Sequence, residues 1–263
     1  MSFTRRISWV VVVLGMLAGW VCTKADTAAP TPNVKVIDFS RGHWDSSAWT
    51  PVRLANDPAP RGFVQQADSI ATTMTNTFSE SDYGAERDNS ILIHDTAPDT
   101  AAGGGGDDVQ VELAFTIGKG FHGFSAPGLC VSPQIKDGVV VQSIAVFVAD
   151  YTMAIWLQQT DGKIVRYRHL AQLARWNDPG KPHTLRCRVS QPQASVAVQI
   201  DDADPIVLSF VGNSSLSFVP FKLNSVVGVW GCHGVCEFQR MRIVKPGILP
   251  FIVQTPPPDG SRN

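Results

Sequence analysis

The chain has 263 residues, 44% of them hydrophobic and 17% charged, with a formal net charge of −1. That length suits one large β domain, which runs to about 200–250 residues, and the apolar content supplies a core and excludes disorder throughout. The near-zero charge gives no long-range field toward phosphate backbones or acidic membranes, so nucleic acid is not an expected partner.

The first predicted element is a leader over residues 1–25. Arg5 and Arg6 precede the apolar run Trp9 to Cys22, and small residues follow at Thr23 and Ala25, which is the order of a secretory signal peptide. The run is shorter than the roughly 20 residues that cross a bilayer as a helix. Cleavage near Thr23-Lys24-Ala25 is therefore preferred to a permanent anchor, and no membrane contact is expected beyond this segment. Lipid attachment at Cys22 is disfavoured by the branched Val21, where a lipoprotein signal needs a small residue. The protein is expected to be exported, to the periplasm, the cell surface or the medium. Cleavage leaves Cys130, Cys187, Cys232 and Cys236, an even number in a compartment where disulfides persist.

Residues 26–33 are rich in Ala, Thr and Pro without hydrophobic period and read as a flexible spacer. The folded domain is expected over 34–244. Between these limits, runs of β-branched and aromatic residues alternate with Gly, Pro, Asn and Asp clusters, the pattern of an all-β protein. Ala97 to Asp107 is a long connection with four consecutive glycines at 103–106; no following Lys-Ser or Lys-Thr supports a phosphate loop. Asp108 to Ile117 alternates, with Val109, Val111, Leu113 and Phe115 on one face. Val139 to Asp150 is apolar on both faces, as a central strand is, and Tyr151 to Gln159 continues it or follows a bend.

Lys163 to Leu170, Thr184 to Ser190, Ser195 to Ile200, Ile206 to Phe210, Val226 to Trp230 and Cys236 to Val244 supply further strands. Asp161-Gly162 and His233-Gly234 are turn dipeptides between them. Leu170 to Trp176 reads as a loop, ended by Asn177-Asp178-Pro179-Gly180. From Lys245 to Asn263 the prolines at 246, 250 and 256–258 exclude sheet pairing and favour a polyproline tail.

Several features carry candidate chemistry. If Met153, Ile155 and Leu157 face the core, Trp156 and Gln158 lie on the other face of their strand. Trp stacks on the apolar faces of sugar rings, whose hydroxyls need fixed polar partners. Glu112, Gln110, Arg166, Arg168, Arg186 and Arg188 are candidates for the polar walls of one groove with Trp156 and Gln158, and arginine suits an acidic ligand. The alternative is an ordinary solvated face with Arg stems over Trp.

His122, in the Gly-rich loop Lys119 to Gly128, is a candidate rim residue, the alternative being a plain surface histidine. Cys232 and Cys236 flank three residues between two strands and are expected to pair across a hairpin mouth, with Gly234 supplying positive φ. Cys130 and Cys187 sit among aliphatic residues as buried thiols or a second pair. Zinc is not expected, for lack of further soft ligands. Asp201-Asp202-Ala203-Asp204 lacks the Gly and downstream Glu of an EF-hand, so no metal and no cofactor are assigned.

The order of features from Asp107 to Ile117, through Gly128-Leu129-Cys130-Val131, Tyr151 to Leu157, Asp161-Gly162, His183-Thr184-Leu185-Arg186 and Val196 to Asp201, to Val227-Gly228-Val229-Trp230 and Glu237 to Ile243, is similar to concanavalin A-like lectin/glucanase domains. Laminin G-like modules and 3-keto-disaccharide hydrolase-like domains are the branches it resembles. The resemblance implies a jelly-roll β-sandwich of two antiparallel sheets, often with carbohydrate on the concave face. The same scaffold hosts hydrolases, lyases and adhesion modules.

Laminarinase-type members of that superfamily carry Glu-x-Asp-x-Glu or Glu-x-Asp-x-x-Glu. The nearest approach here, Glu80-Ser-Asp82-Tyr-Gly-Ala-Glu86, departs from that spacing and reads as an acidic loop. The expectation is accordingly a lectin-like module binding carbohydrate or a cell-surface glycan without evident catalysis. The alternatives are a glycoside hydrolase or lyase of the 3-keto-disaccharide hydrolase-like type, and an adhesion module with protein partners.

Overall fold

The structure, a computed structural model, describes residues 33–72, 89–94, 108–120, 123–211, 221 and 223–245. The leader, the acidic segment 80–86, the four glycines, His122 and the Pro-rich segment from 246 onward lie outside the described residues.

The chain enters on β1 (Asn33–Asp38) and passes a single turn of 3-10 helix (Ser46–Ala48) into β2 (Trp49–Val52), β3 (Val64–Gln65), β4 (Ile70–Ala71) and β5 (Ser90–His94). Longer strands follow: β6 (Val109–Gly120), the short β7 (Gly123–Phe124), β8 (Ala126–Lys136), β9 (Val139–Ala149), β10 (Thr152–Asp161) and β11 (Ile164–Ala174). The last group is β12 (Pro182–Ser190), β13 (Ser195–Ile200), β14 (Ile206–Ser209), β15 (Val227–Cys232) and β16 (Gly234–Lys245). No described helix is long and apolar enough to cross a membrane.

These strands form two antiparallel sheets. One has seven strands in the order β11-β10-β9-β8-β15-β5-β2. The other has nine, in the order β14-β13-β12-β6-β16-β4-β3, with β1 also on β16 and β7 on β6. The molecule is an all-β jelly-roll sandwich. Two meanders, β8 to β11 and β12 to β14, and the short pairs β3–β4 and β6–β7 join consecutive strands; other neighbours are distant in sequence, as where β5 pairs with β15 and β6 with β16.

Alternation explains which residues fill the space between the sheets. Val109, Val111, Leu113, Phe115 and Ile117 of β6 are fully buried in the main core, facing Met153 and Ile155 of β10 among others. β9 is central, flanked by β8 and β10. Its Ile144, Val146 and Val148 join the main core, while Ala145 and Phe147 join a second cluster with Trp230, Trp156 and Tyr167. The two-faced apolar pattern of β9 thus serves two separate clusters.

Two expectations are corrected. The segment Leu170 to Trp176 is no loop as far as Ala174: β11 continues, pairing Met153 with Leu173 and Thr152 with Ala174. Leu170, Ala171 and Leu173 pack against the main core, and burial with cross-strand pairing outweighs the local helical preference of Ala and Leu. The register shifts at Ile155/Trp156, so that Ile155 opposes Ala171 and Trp156 opposes His169, leaving Leu170 as a bulge residue.

The second correction concerns the cysteines. No disulfide joins Cys130, Cys187, Cys232 and Cys236. β15 and β16 belong to different sheets, so His233 (φ 64) and Gly234 (φ 139) carry the chain across the sandwich instead of closing a hairpin. Cys236 enters the main core, whereas Cys232 lies at the far side of its sheet, in the lining of a surface pocket. Cys130 packs in the second cluster and Cys187 in the main core.

Candidate functional site

The outer face of the seven-stranded sheet holds the candidate site. Because Met153 and Ile155 enter the main core, the intervening Ala154 and the following Trp156 and Gln158 project from the opposite face, as the sequence alternation predicts. Directly opposed residues on antiparallel strands share a face. The register places Trp156 opposite His169 and Ala145, and Gln158 opposite Tyr167 and Ser143. The Trp156 and His169 rings meet edge to face, with centroids 4.7 Å apart at 68°.

A pocket of about 170 Å³ opens here, lined by Asn89, Phe147, Trp156, Tyr167, Cys232 and His233. Its support is rigid. The fully buried Trp230 packs edge to face with Phe147 at 5.0 Å, and its indole N–H donates to Asn89 Oδ1 at 2.9 Å. Aromatic walls with an amide, an imidazole and a phenol among them suit the stacking of an apolar ring face and hydrogen bonding to its substituents.

Gln158 stands beside Trp156 in a supporting place. It is fully buried, accepts from Ser143 Oγ at 3.1 Å and donates to Thr160 Oγ1 at 3.2 Å.

The single groove expected from the sequence is divided by the structure. Glu112 and Arg186 face each other on the nine-stranded sheet, where Arg186 Nε donates to Glu112 Oε2 at 3.0 Å and its Nη1 to the Asp201 carbonyl at 2.8 Å. Gln110 is buried on the same sheet, and Arg188 pairs with Asp108. Arg166 and Arg168 are on the sheet of Trp156 but its other side: they oppose Gln159 and Leu157, and Arg166 pairs with Asp161 at 3.1 Å. The arginines therefore do not wall the pocket. Val165 and Tyr167 take the side that the sequence reading gave to the arginines, because pairing register between strands decides the face and is not encoded within one strand.

Phe147, Tyr167, Asn89, Cys232 and His233 were not expected as lining. Alternation placed Tyr167 opposite in sense to Arg166 and Arg168, which was the one signal for it. Asn89, just before β5, is brought in from a distant part of the sequence by the β5–β15 pairing, and nothing local announces it. Among the described residues no cluster of three or more His, Cys, Asp or Glu is arranged to hold a metal ion.

No family model matches the chain, and no curated protein matches it. Among solved structures, the chain is similar to the carbohydrate recognition domain of Emp46p in its potassium-bound form, with a TM-score of 0.52 at 13% identity over 79% of this chain and 95% of that one. It is likewise similar to the CBM2 module of the evolved Dit of Lactobacillus casei BL23 phage J-1, with a TM-score of 0.52 at 11% identity over 84% of this chain and 98% of that one. At such identities the likeness establishes the architecture, a jelly-roll sandwich consistent with the concanavalin A-like fold.

Proposed function

We propose that the chain is a glycan-binding module that seats a sugar ring in the pocket beside Trp156. The observation that carries this reading is the pocket itself: an aromatic recess of Trp156, Tyr167 and Phe147, with Asn89 and His233 beside them, on the outer face of a sheet. Stacking on the aromatic faces supplies affinity and the polar groups supply orientation. The similar solved structures named as a carbohydrate recognition domain and a CBM2 module support the reading. The leader-like N-terminus supports placing the module outside the cytoplasm.

Binding is preferred to glycoside hydrolysis on chemical grounds. Retaining glycosidases use two carboxyl groups about 5–5.5 Å apart, and the described lining contributes none, while Glu112 is held by Arg186 on the other sheet. Calorimetry against neutral and acidic oligosaccharides tests the proposal. Millimolar to micromolar binding that falls at least about tenfold in Trp156→Ala is the expected result. A wild-type protein that binds no glycan class overturns it.

A further inference from the structure

The face that carries the pocket continues along β10 and β11. Beyond Trp156 and His169, the register pairs Ala154 with Gln172 and Thr152 with Ala174. At the end of this strip stand Tyr151 and Trp176, 67% and 50% exposed, with ring centroids 4.7 Å apart at 57°. Trp176 lies two residues past the end of β11, after Arg175, which pairs with Asp201 and Asp202.

Neither ring sits on a loose loop. The Arg175 N–H donates to the Tyr151 carbonyl at 3.1 Å and the Asn177 N–H to the Asp150 carbonyl at 2.6 Å. The buried Asn177 amide donates to the Ala149 carbonyl at 2.7 Å, and the Trp176 indole N–H donates to Asp178. Large aromatic groups held rigid yet exposed lose little further freedom on binding, the property of anchor residues at recognition surfaces.

The strip between the two aromatic stations carries no formal charge. Its floor is Thr152, Ala154, Gln172 and Ala174, while Arg166 and Arg168 of the same strand point away. An acidic chain would require cations along this path; a neutral one needs hydroxyl partners, which Gln172, Thr152 and His169 provide.

We infer that this face takes an uncharged linear glycan, long enough to run along β10 from the Trp156 pocket to the Tyr151–Trp176 pair. The inference rests on the glycan-binding reading and adds the length and charge class of the ligand. From Tyr151 to Trp156 the strand advances about 17 Å at about 3.3 Å per residue, a span of several sugar rings. The small side chains of Thr152, Ala154 and Ala174 let such a chain lie against the sheet.

The test is calorimetry of the full chain with cello-, laminari- and manno-oligosaccharides from disaccharide to hexasaccharide, and with oligogalacturonates of the same lengths. Affinity for a neutral series is expected to rise about tenfold with length, as one further aromatic contact supplies. Trp176→Ala and Tyr151→Ala abolish that gain and leave disaccharide affinity in place; Trp176→Phe, which keeps a ring, retains most of it. Trp156→Ala weakens every length. A length gain that survives Trp176→Ala, or tighter binding of galacturonates, overturns the inference. Binding without any length gain overturns it while the glycan-binding reading stands. Binding of no series removes both.

Discussion

At Gly128 two strands approach so closely that only a hydrogen fits. A β-carbon there would collide with the carbonyl of Val146 on the neighbouring β9. Gly128→Ala must push apart strands at the centre of the seven-stranded sheet, and such overpacking against backbone is expected to cost about 3 kcal/mol or more. Urea denaturation measures this; a loss under about 0.5 kcal/mol, the level of a neutral surface change, contradicts it.

The thiols give a second outcome. Burial pushes Cys130 and Cys187 up to about 12 from an ordinary 9.0. The thiolate is the reactive form, so at pH 8 both residues should resist alkylation in the native protein and react on unfolding, as peptide mapping would show. Linkage has a definite sign here: the unfolded chain releases these protons near 9.0 while the folded one keeps them to about 12. Stability from this source is intact below 9.0 and is lost as pH rises through that window.

Single residues were also where the sequence was least able to speak for the site. Trp156 was legible because its strand alternates cleanly. The faces of Arg166 and Tyr167 depended on register across a strand pair, and Cys232 and Cys236 depended on whether two consecutive strands share a sheet. Spacing along the chain contains neither fact.

At the scale of elements, the β9–β10 hairpin is held from outside by the segment that leaves β11. Asn177 is the pin: fully buried, it bonds the turn through both its backbone N–H and its side-chain amide. Asn177→Ala leaves the carbonyl of Ala149 without that donor, a change expected to cost about 1–3 kcal/mol. Amide hydrogen exchange should show the loss concentrated at the hairpin end near residues 149–152, with β6 and β12 far less affected. Uniform loosening of both sheets would show that Asn177 does not act locally.

Strand identity at this scale was largely readable: β6, β10, β12 and β13 follow the hydrophobic alternation, and β9 is marked by apolar residues on both faces. The end of β11 was not, because Ala and Leu signal helix locally and only contact with β10 and the core makes them a strand. The short strands β2 to β4 bury few residues each and leave almost no pattern to read.

At the scale of the whole molecule, apolar packing between the sheets is reinforced at one end by a polar tie. Asp201, in the left-handed region with φ 47, accepts from the Thr184 N–H at 2.8 Å and lies 2.9 Å from His183 Nδ1 and 3.4 Å from Arg175 Nη2. Arg175 belongs to the chain leaving the seven-stranded sheet, while His183 and Thr184 belong to the nine-stranded one. Asp201→Ala removes all three contacts and leaves a buried imidazole short of a partner. The expected cost is about 2–3 kcal/mol, read as a lower urea midpoint, with Asp201→Asn losing less. An unchanged midpoint would mean that hydrophobic packing alone sets the docking of the sheets. The tie was invisible in the sequence, where Asp201-Asp202 reads only as a hairpin loop before Pro205.

The irregular residue Leu170 has a consequence for solubility. Among the described strands the 11-residue β11 has a single neighbour, β10, so that one of its borders pairs with none of them. A long flat border of this kind recruits further chains and seeds aggregates. The bulge breaks its flatness, and Arg166 and Arg168 place charge along it. The extra residue that turns His169 toward Trp156 therefore also makes the border of β11 a poorer template for a further strand.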